Sequence, residues 1–172
     1  MKPVDHPDFF RVPAPAGRSR ESSIVLDRLG RFFHEGERVE HAGLAGGFAR
    51  WLRRHPDDRR FILSNGYDWC YLTVEDTPYF VEAVWEDETR LCVRLSDGSE
   101  EALMADTMWI GQDEILRTRV KQGKFDARFS RGAQLQLEPW LADGDPICLE
   151  VGGRRIPLQM KAPAVSGAPA AR

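Results

Sequence analysis

Long apolar runs are missing from this sequence, none exceeding about five residues, which excludes a helical membrane span. Cysteine is sparse. Cys70, Cys92 and Cys148 make an odd number without Cys-x-x-Cys or metal spacing, and each sits in an apolar or alternating run as a small buried hydrophobe. Lysine is scarcer than arginine by 4 to 20, and the net charge is -3, so the basic balance of a dedicated nucleic-acid binder is absent. No apolar core of a signal peptide opens the chain, and the expected compartment is cytoplasmic. What is present suffices for folding: among 172 residues, 42% are apolar, with five Trp and nine Phe, too many buried-surface donors for a disordered chain.

Both ends are rich in Pro, Ala, Gly, Ser and charge, and residues 1–23 and 160–172 read as flexible tails. Phe9 and Phe10 stand out in the first, as a tail that leans on its own domain or as a short peptide anchor. Regular patterning starts at Ile24. IVLDR is a short strand, Leu29-Gly30 a turn, and RFFHEGERV a hairpin bent at Glu35-Gly36. Leu44, Phe48, Trp51 and Leu52 then fall on one helix face, closed by Pro56, and are expected to pack on a sheet with Phe61, Leu63, Tyr71 and Val81. Gly46 and Gly47 inside that helix predict a close approach by a crossing strand. A meander of strands follows, with turns at Asn65-Gly66, Glu75-Pro78 and Asp97-Gly98.

The second half echoes the first. KFDARFS is a strand, residues 131–142 suit either a helix or a strand and are taken as a helix, and PICLEVGGRRIPL is a hairpin at Gly152-Gly153. Strand, helix and hairpin in each half predict an α+β fold. Its sheets are antiparallel with one packing helix per half, and an internal duplication gives two related tandem α+β domains at 24–86 and 87–159.

The order LDRLGRFFHEGERV, GFARWLRRHPDDRRFIL, YLTVEDTPYFVEAV resembles the bacterial domain-of-unknown-function family 1285. The positions carrying it are Gly30, Phe32, Phe33, Gly36, Phe48, Leu52, Val74, Glu75, Asp76, Pro78 and Phe80, and DARFSRGAQLQL and VGGRRIPL are similar to the family's later segments. MWIGQDEILRTRV replaces the family's His-Pro-Leu-Arg-like stretch, and Leu29 stands where Asp is usual. The resemblance implies tandem α+β domains, a role in signal transduction and no catalytic residue to carry over.

Recognisable chemistry is thin. His34 beside Glu35 admits a ligand or acid–base role, with Glu75 and Asp76 as the nearby acids of an enzyme without a known signature; the competing reading is a hairpin histidine and a turn. GLAGGF lacks the Lys-Ser or Lys-Thr of a phosphate loop, and no Gly-x-Ser-x-Gly occurs. Charge is segregated instead. Residues 86–116 carry nine acids against two arginines, and residues 117–131 six bases against one acid. On a strand Arg117, Arg119 and Lys121 share a face, with Lys124 close by, and this strip either pairs with the acidic block or binds an anionic ligand or partner. These features predict a noncatalytic ligand- or protein-binding module with a regulatory role. Its partner is an unknown protein or a small anionic ligand, with no cofactor, metal, nucleic acid or membrane involved. Exposed strand edges add the expectation of a homodimer.

Overall fold

Short strands punctuated by glycine turns build the computed structural model, which describes residues 2–162. In the first run β1 (Val25–Leu26), β2 (Phe32–His34) and β3 (Glu37–Arg38) lead into helix α1 (Ala42–Trp51). Then come β4 (Leu52–Arg54), β5 (Phe61–Ser64), β6 (Trp69–Tyr71) and β7 (Thr73–Val74). β1, β2 and β3 pair antiparallel, β4, β5 and β6 form a second antiparallel sheet, and β7 returns parallel to β1. The turns follow from glycine. Gly30 at φ +80° turns the chain between β1 and β2 with no side chain to meet the Phe80 ring, which lies 3.1 Å from where a Cβ would stand.

A meander follows: β8 (Tyr79–Asp87), β9 (Arg90–Leu95) and β10 (Glu100–Ala102). The chain then repeats its opening plan. β11 (Trp109–Gly111), β12 (Leu116–Val120) and β13 (Phe125–Phe129) are antiparallel neighbours, and helix α2 (Arg131–Leu137) follows with Ser130 capping it through the Ala133 amide. β14 (Leu141–Ala142), β15 (Cys148–Val151) and β16 (Arg154–Pro157) form an antiparallel sheet, and β17 (Met160–Lys161) pairs parallel to β11. Both runs therefore share one connectivity: three antiparallel strands, a helix, a three-stranded sheet and a closing parallel strand. The class is α+β.

Two compact units divide the chain. One runs through Phe80 and also takes in Leu95–Ser99; the other holds Val81–Arg94 and the chain from Glu100 onward. The boundary thus lies at Phe80 rather than at residue 86, and the second run begins at Trp109 because residues 87–108 belong to the meander and its exit. The N-terminal segment is not a free tail. Phe9 is buried at 8% exposure, and Val4 donates its amide to the Gly66 carbonyl. Met160 and Lys161, assigned to the other tail, form β17, and residues 163–172 lie outside the described residues.

The helix face also departs from expectation. Leu44 is 42% exposed while Gly47 and Ala49 are buried, because α1 stops at Trp51 and Leu52 already belongs to β4. Gly47 lies under the ring of its own helix neighbour Trp51, 3.7 Å from where a Cβ would be, so no crossing strand is needed to explain it. Tyr71 pairs with Ile62 and faces away from Leu63, and Val81 falls in the other unit. Of residues 131–142, read as a helix, those up to Trp140 are helical, Pro139 being absorbed by a 3-10 turn at Glu138–Trp140 after α2, while Leu141 and Ala142 belong to β14.

Candidate functional site

The cationic strip is compensated from within its own unit. Arg117, only 9% exposed, donates to Asp113 through both terminal nitrogens at 2.7 and 3.0 Å and to the Ile115 carbonyl at 3.1 Å. Its cross-strand neighbour is Arg128, which approaches the same carboxylate at 3.3 Å, so one acid offsets two opposed guanidinium groups. The Arg117 hydrogen bond, ahead of the opposing effect of burial, holds the Asp113 carboxyl down at about 2. Gly111 makes room for this arrangement, since a Cβ there would lie 1.8 Å from the Arg117 Nη1.

Arg119 is exposed and faces Asp126 across the sheet at 3.7 Å. Lys121 leaves the strand: it stands in the turn after Val120 at φ +54° and donates its amide to Glu101. The three bases therefore form no continuous free face. Lys124 is exposed in the same turn region.

The histidine constellation does not assemble. His34 is exposed at the end of β2, opposite Glu37, and Glu35 occupies the hairpin turn at φ +53°. Glu75 accepts from the Arg28 amide after β7, Asp76 is half-buried, and neither is hydrogen-bonded to His34. Among the described residues no cluster of His, Cys, Asp or Glu is arranged to hold a metal ion.

Another histidine is enclosed instead. His55 follows β4 and is 6% exposed. Its Nε2 lies 3.1 Å from the Phe10 carbonyl, which only accepts, so Nε2 carries the proton and Nδ1 accepts from the Asp57 amide at 3.3 Å. The rings of Phe10, Trp69 and Tyr71 surround the imidazole at 6.0, 5.1 and 5.7 Å. Trp69 donates its indole N–H to the Phe9 carbonyl at 3.3 Å, and Tyr71 donates its hydroxyl to Asp58 at 2.7 Å. Burial first, then Asp58, pushes the Tyr71 phenol up to about 12. Guanidinium groups cover the rim: Arg20 lies 4.4 Å above Trp69 and Arg60 lies 3.7 Å above Tyr71, each tied to an acid, Asp68 and Glu21 respectively.

Strand pairing explains this aromatic face. Ile62 opposes Tyr71 and Ser64 opposes Trp69, so these four point to one side of β5–β6 while Leu63 and Cys70 point to the other. The N-terminal segment lies on the first side. Phe9 packs with Ile62 and Trp69, flanked by Val4, Phe10 and Tyr71, and Arg11 makes a two-pronged bond to Asp57 at 3.0 and 2.9 Å. The second run offers a control. By its own pairing the counterparts of Trp69 and Tyr71 are Arg155 and Pro157, both exposed, with Arg155 facing Glu150. The corresponding face of the second sheet thus carries Arg155, Glu150 and Pro157 beside a buried Cys148 and has no aromatic ring, whereas the one under the N-terminal segment is aromatic.

Sequence reasoning named Phe9 and Phe10 and took Tyr71 only as a sheet residue packing under the helix, and it missed His55 and Trp69. The available signal was His-Pro-Asp-Asp after the helix, with two carboxylates next to a histidine, ahead of a Trp-x-Tyr strand that puts both rings on one side.

A two-run α+β fold carrying a peptide-covered aromatic face is the class these features define. No protein-family model matches the chain, and no curated protein does. Two solved structures share the fold. One is a DUF1285 family protein from Silicibacter pomeroyi DSS-3, with a TM-score of 0.63 and 16% identity over 87% of this chain and 91% of that one. The other is a DUF1285 family protein from Shewanella baltica OS155, with a TM-score of 0.53 and 20% identity over 66% of this chain and 87% of that one. Both carry the name of the family that the sequence resembles. No helix among the described residues is long and apolar enough to cross a membrane.

Proposed function

We propose that this protein is a noncatalytic, regulatory binding module that takes an extended protein segment on the aromatic face of β5–β6. The observation that carries the reading is the mode of contact already displayed there. A linear segment is held by a buried aromatic anchor, by two main-chain carbonyls facing the Trp69 and His55 N–H groups, and by a forked arginine–carboxylate pair. These are the elements of peptide recognition: main-chain bonds supply affinity and side-chain pockets supply specificity. The spread of His34, Glu35, Glu75 and Asp76 over two turns supports the noncatalytic reading, and the sharing of Asp113 by Arg117 and Arg128 moves the binding site away from the basic strip.

The test uses the full chain carrying Phe9→Ala, Phe10→Ala and Arg11→Glu, which removes the anchors and keeps the face. A peptide of residues 2–18 added in trans should bind it by calorimetry and shift its tryptophan emission. The same peptide with both phenylalanines replaced by alanine should not. A folded variant, by circular dichroism, that ignores the first peptide refutes the reading.

A further inference from the structure

Resting on that reading, we infer that the N-terminal segment is the site's own competitor, and that the partner it excludes is a protein segment with two adjacent aromatic residues followed by arginine. The motif is the one the site now holds. Phe9 enters the cluster with Ile62 and Trp69, Phe10 sets its ring against His55, and Arg11 reaches Asp57. The receptor side is complementary in charge at Asp57, whose carboxyl the Arg11 bond holds below its ordinary range.

The segment is held in a manner suited to exchange. No strand pairing fixes it to the sheet: its main-chain links are separate bonds, Val4 to Gly66, the Phe9 and Phe10 carbonyls to the Trp69 and His55 side chains, and the Val12 and Pro13 carbonyls to Arg20 at 3.3 Å each. The Arg11–Asp57 pair is solvent-exposed on both sides, 55% and 47%, where an ion pair holds weakly. Beyond Val12 the tether Pro13–Gly17 is largely exposed, and a Cβ at Gly17 would meet nothing within 4 Å. Such a tether keeps the segment at a local concentration on the order of millimolar, so it outcompetes a partner of the same sequence until that partner is abundant or better fitted. Arg20 stands at the far end of the tether, bonded through one terminal nitrogen to Asp68 and the Trp69 carbonyl and through the other to the Val12 and Pro13 carbonyls.

The experiment replaces Pro13–Gly17 by a specific protease site and uses the full chain before and after cutting. The probe is a fluorescent peptide with the sequence of Lys2–Val12. After cutting and dilution to nanomolar concentration, the released fragment should separate on gel filtration, and the remaining chain should bind the probe about 10–100-fold more tightly than the uncut chain. A probe with alanine for both phenylalanines should bind neither form. Equal affinity of cut and uncut chain overturns the competitor inference and leaves the binding reading standing. A fragment that stays bound through dilution makes the segment a permanent part of the fold and overturns the inference too. A cut chain that has shed its fragment, is folded by circular dichroism and still ignores the probe overturns both. Arg11→Glu in the uncut chain gives a second measurement without truncation, and it should raise probe affinity in the same direction.

Discussion

Replacing Asp113 by Asn removes one charge and keeps the shape and one acceptor. The carboxyl titrates at about 2 where an ordinary one stands at 3.8, and that difference corresponds to roughly 2.4 kcal/mol at about 1.36 kcal/mol per pH unit. Asp113 is 40% exposed, so solvent screening reduces this to about 1 kcal/mol. The variant also leaves Arg117, with a side chain 11% exposed, short of its second charged bond, which adds about 1 kcal/mol. A loss of about 2 kcal/mol is therefore expected in urea unfolding at neutral pH. The sign with pH is fixed by the lowered value: the carboxylate's contribution is complete above the ordinary 3.8 and fades as pH falls through about 2. The gap between the native chain and Asp113→Asn should narrow across that window. Equal urea midpoints at neutral pH, or a gap that does not shrink in acid, would refute the assignment of Asp113 as the shared counter-ion.

Gly111→Ala should cost about 2 kcal/mol, because its Cβ would displace the Arg117 guanidinium from Asp113; combined with Asp113→Asn, the two losses should fall short of additive by about 1 kcal/mol in a double-mutant cycle. Phenolate absorbance should show Tyr71 ionising only at about 12, a signal that Tyr71→Phe abolishes. The raised value means that the stability tied to this phenol is intact below about pH 10 and is lost as pH climbs through 12. Arg119→Glu should change stability by less than about 1 kcal/mol, since Arg119 and Asp126 are both exposed at 3.7 Å; a larger loss would show that this end of the strip is structural.

The turns were legible in the sequence because backbone stereochemistry leaves few alternatives. Gly30, Gly36, Gly66, Gly98, Gly152 and Gly153 all sit at positive φ, where the sequence placed turns. Leu91, Val93 and Leu95 alternate along β9 and are buried, as is Cys92 between the first two. The α1 face was misread because a helix of this length presents only two or three turns, and the shift to β4 at Leu52 rotates the apolar stripe. The alternation of Arg117 and Arg119 was legible, while the burial of Arg117 was not, because it depends on Asp113 and on the missing Cβ of Gly111. The N-terminal segment was hidden for a similar reason. Proline-rich composition reports a lack of helix and sheet, and it carries no information about a surface some fifty residues away that is shaped to receive Phe9.

The parallel closing strands carry a kinetic consequence. β1 must wait for β7 and β11 for β17, partners about fifty residues apart in each run. The chain therefore spends loop-closure entropy before either pairing repays it, and topologies dominated by such distant contacts nucleate slowly. Until the last strand of a run arrives, its first strand presents an open backbone edge to any neighbouring chain. Refolding of this protein should accordingly be sensitive to concentration in its early phase, with the two edges at β1 and β11 as the points where association begins.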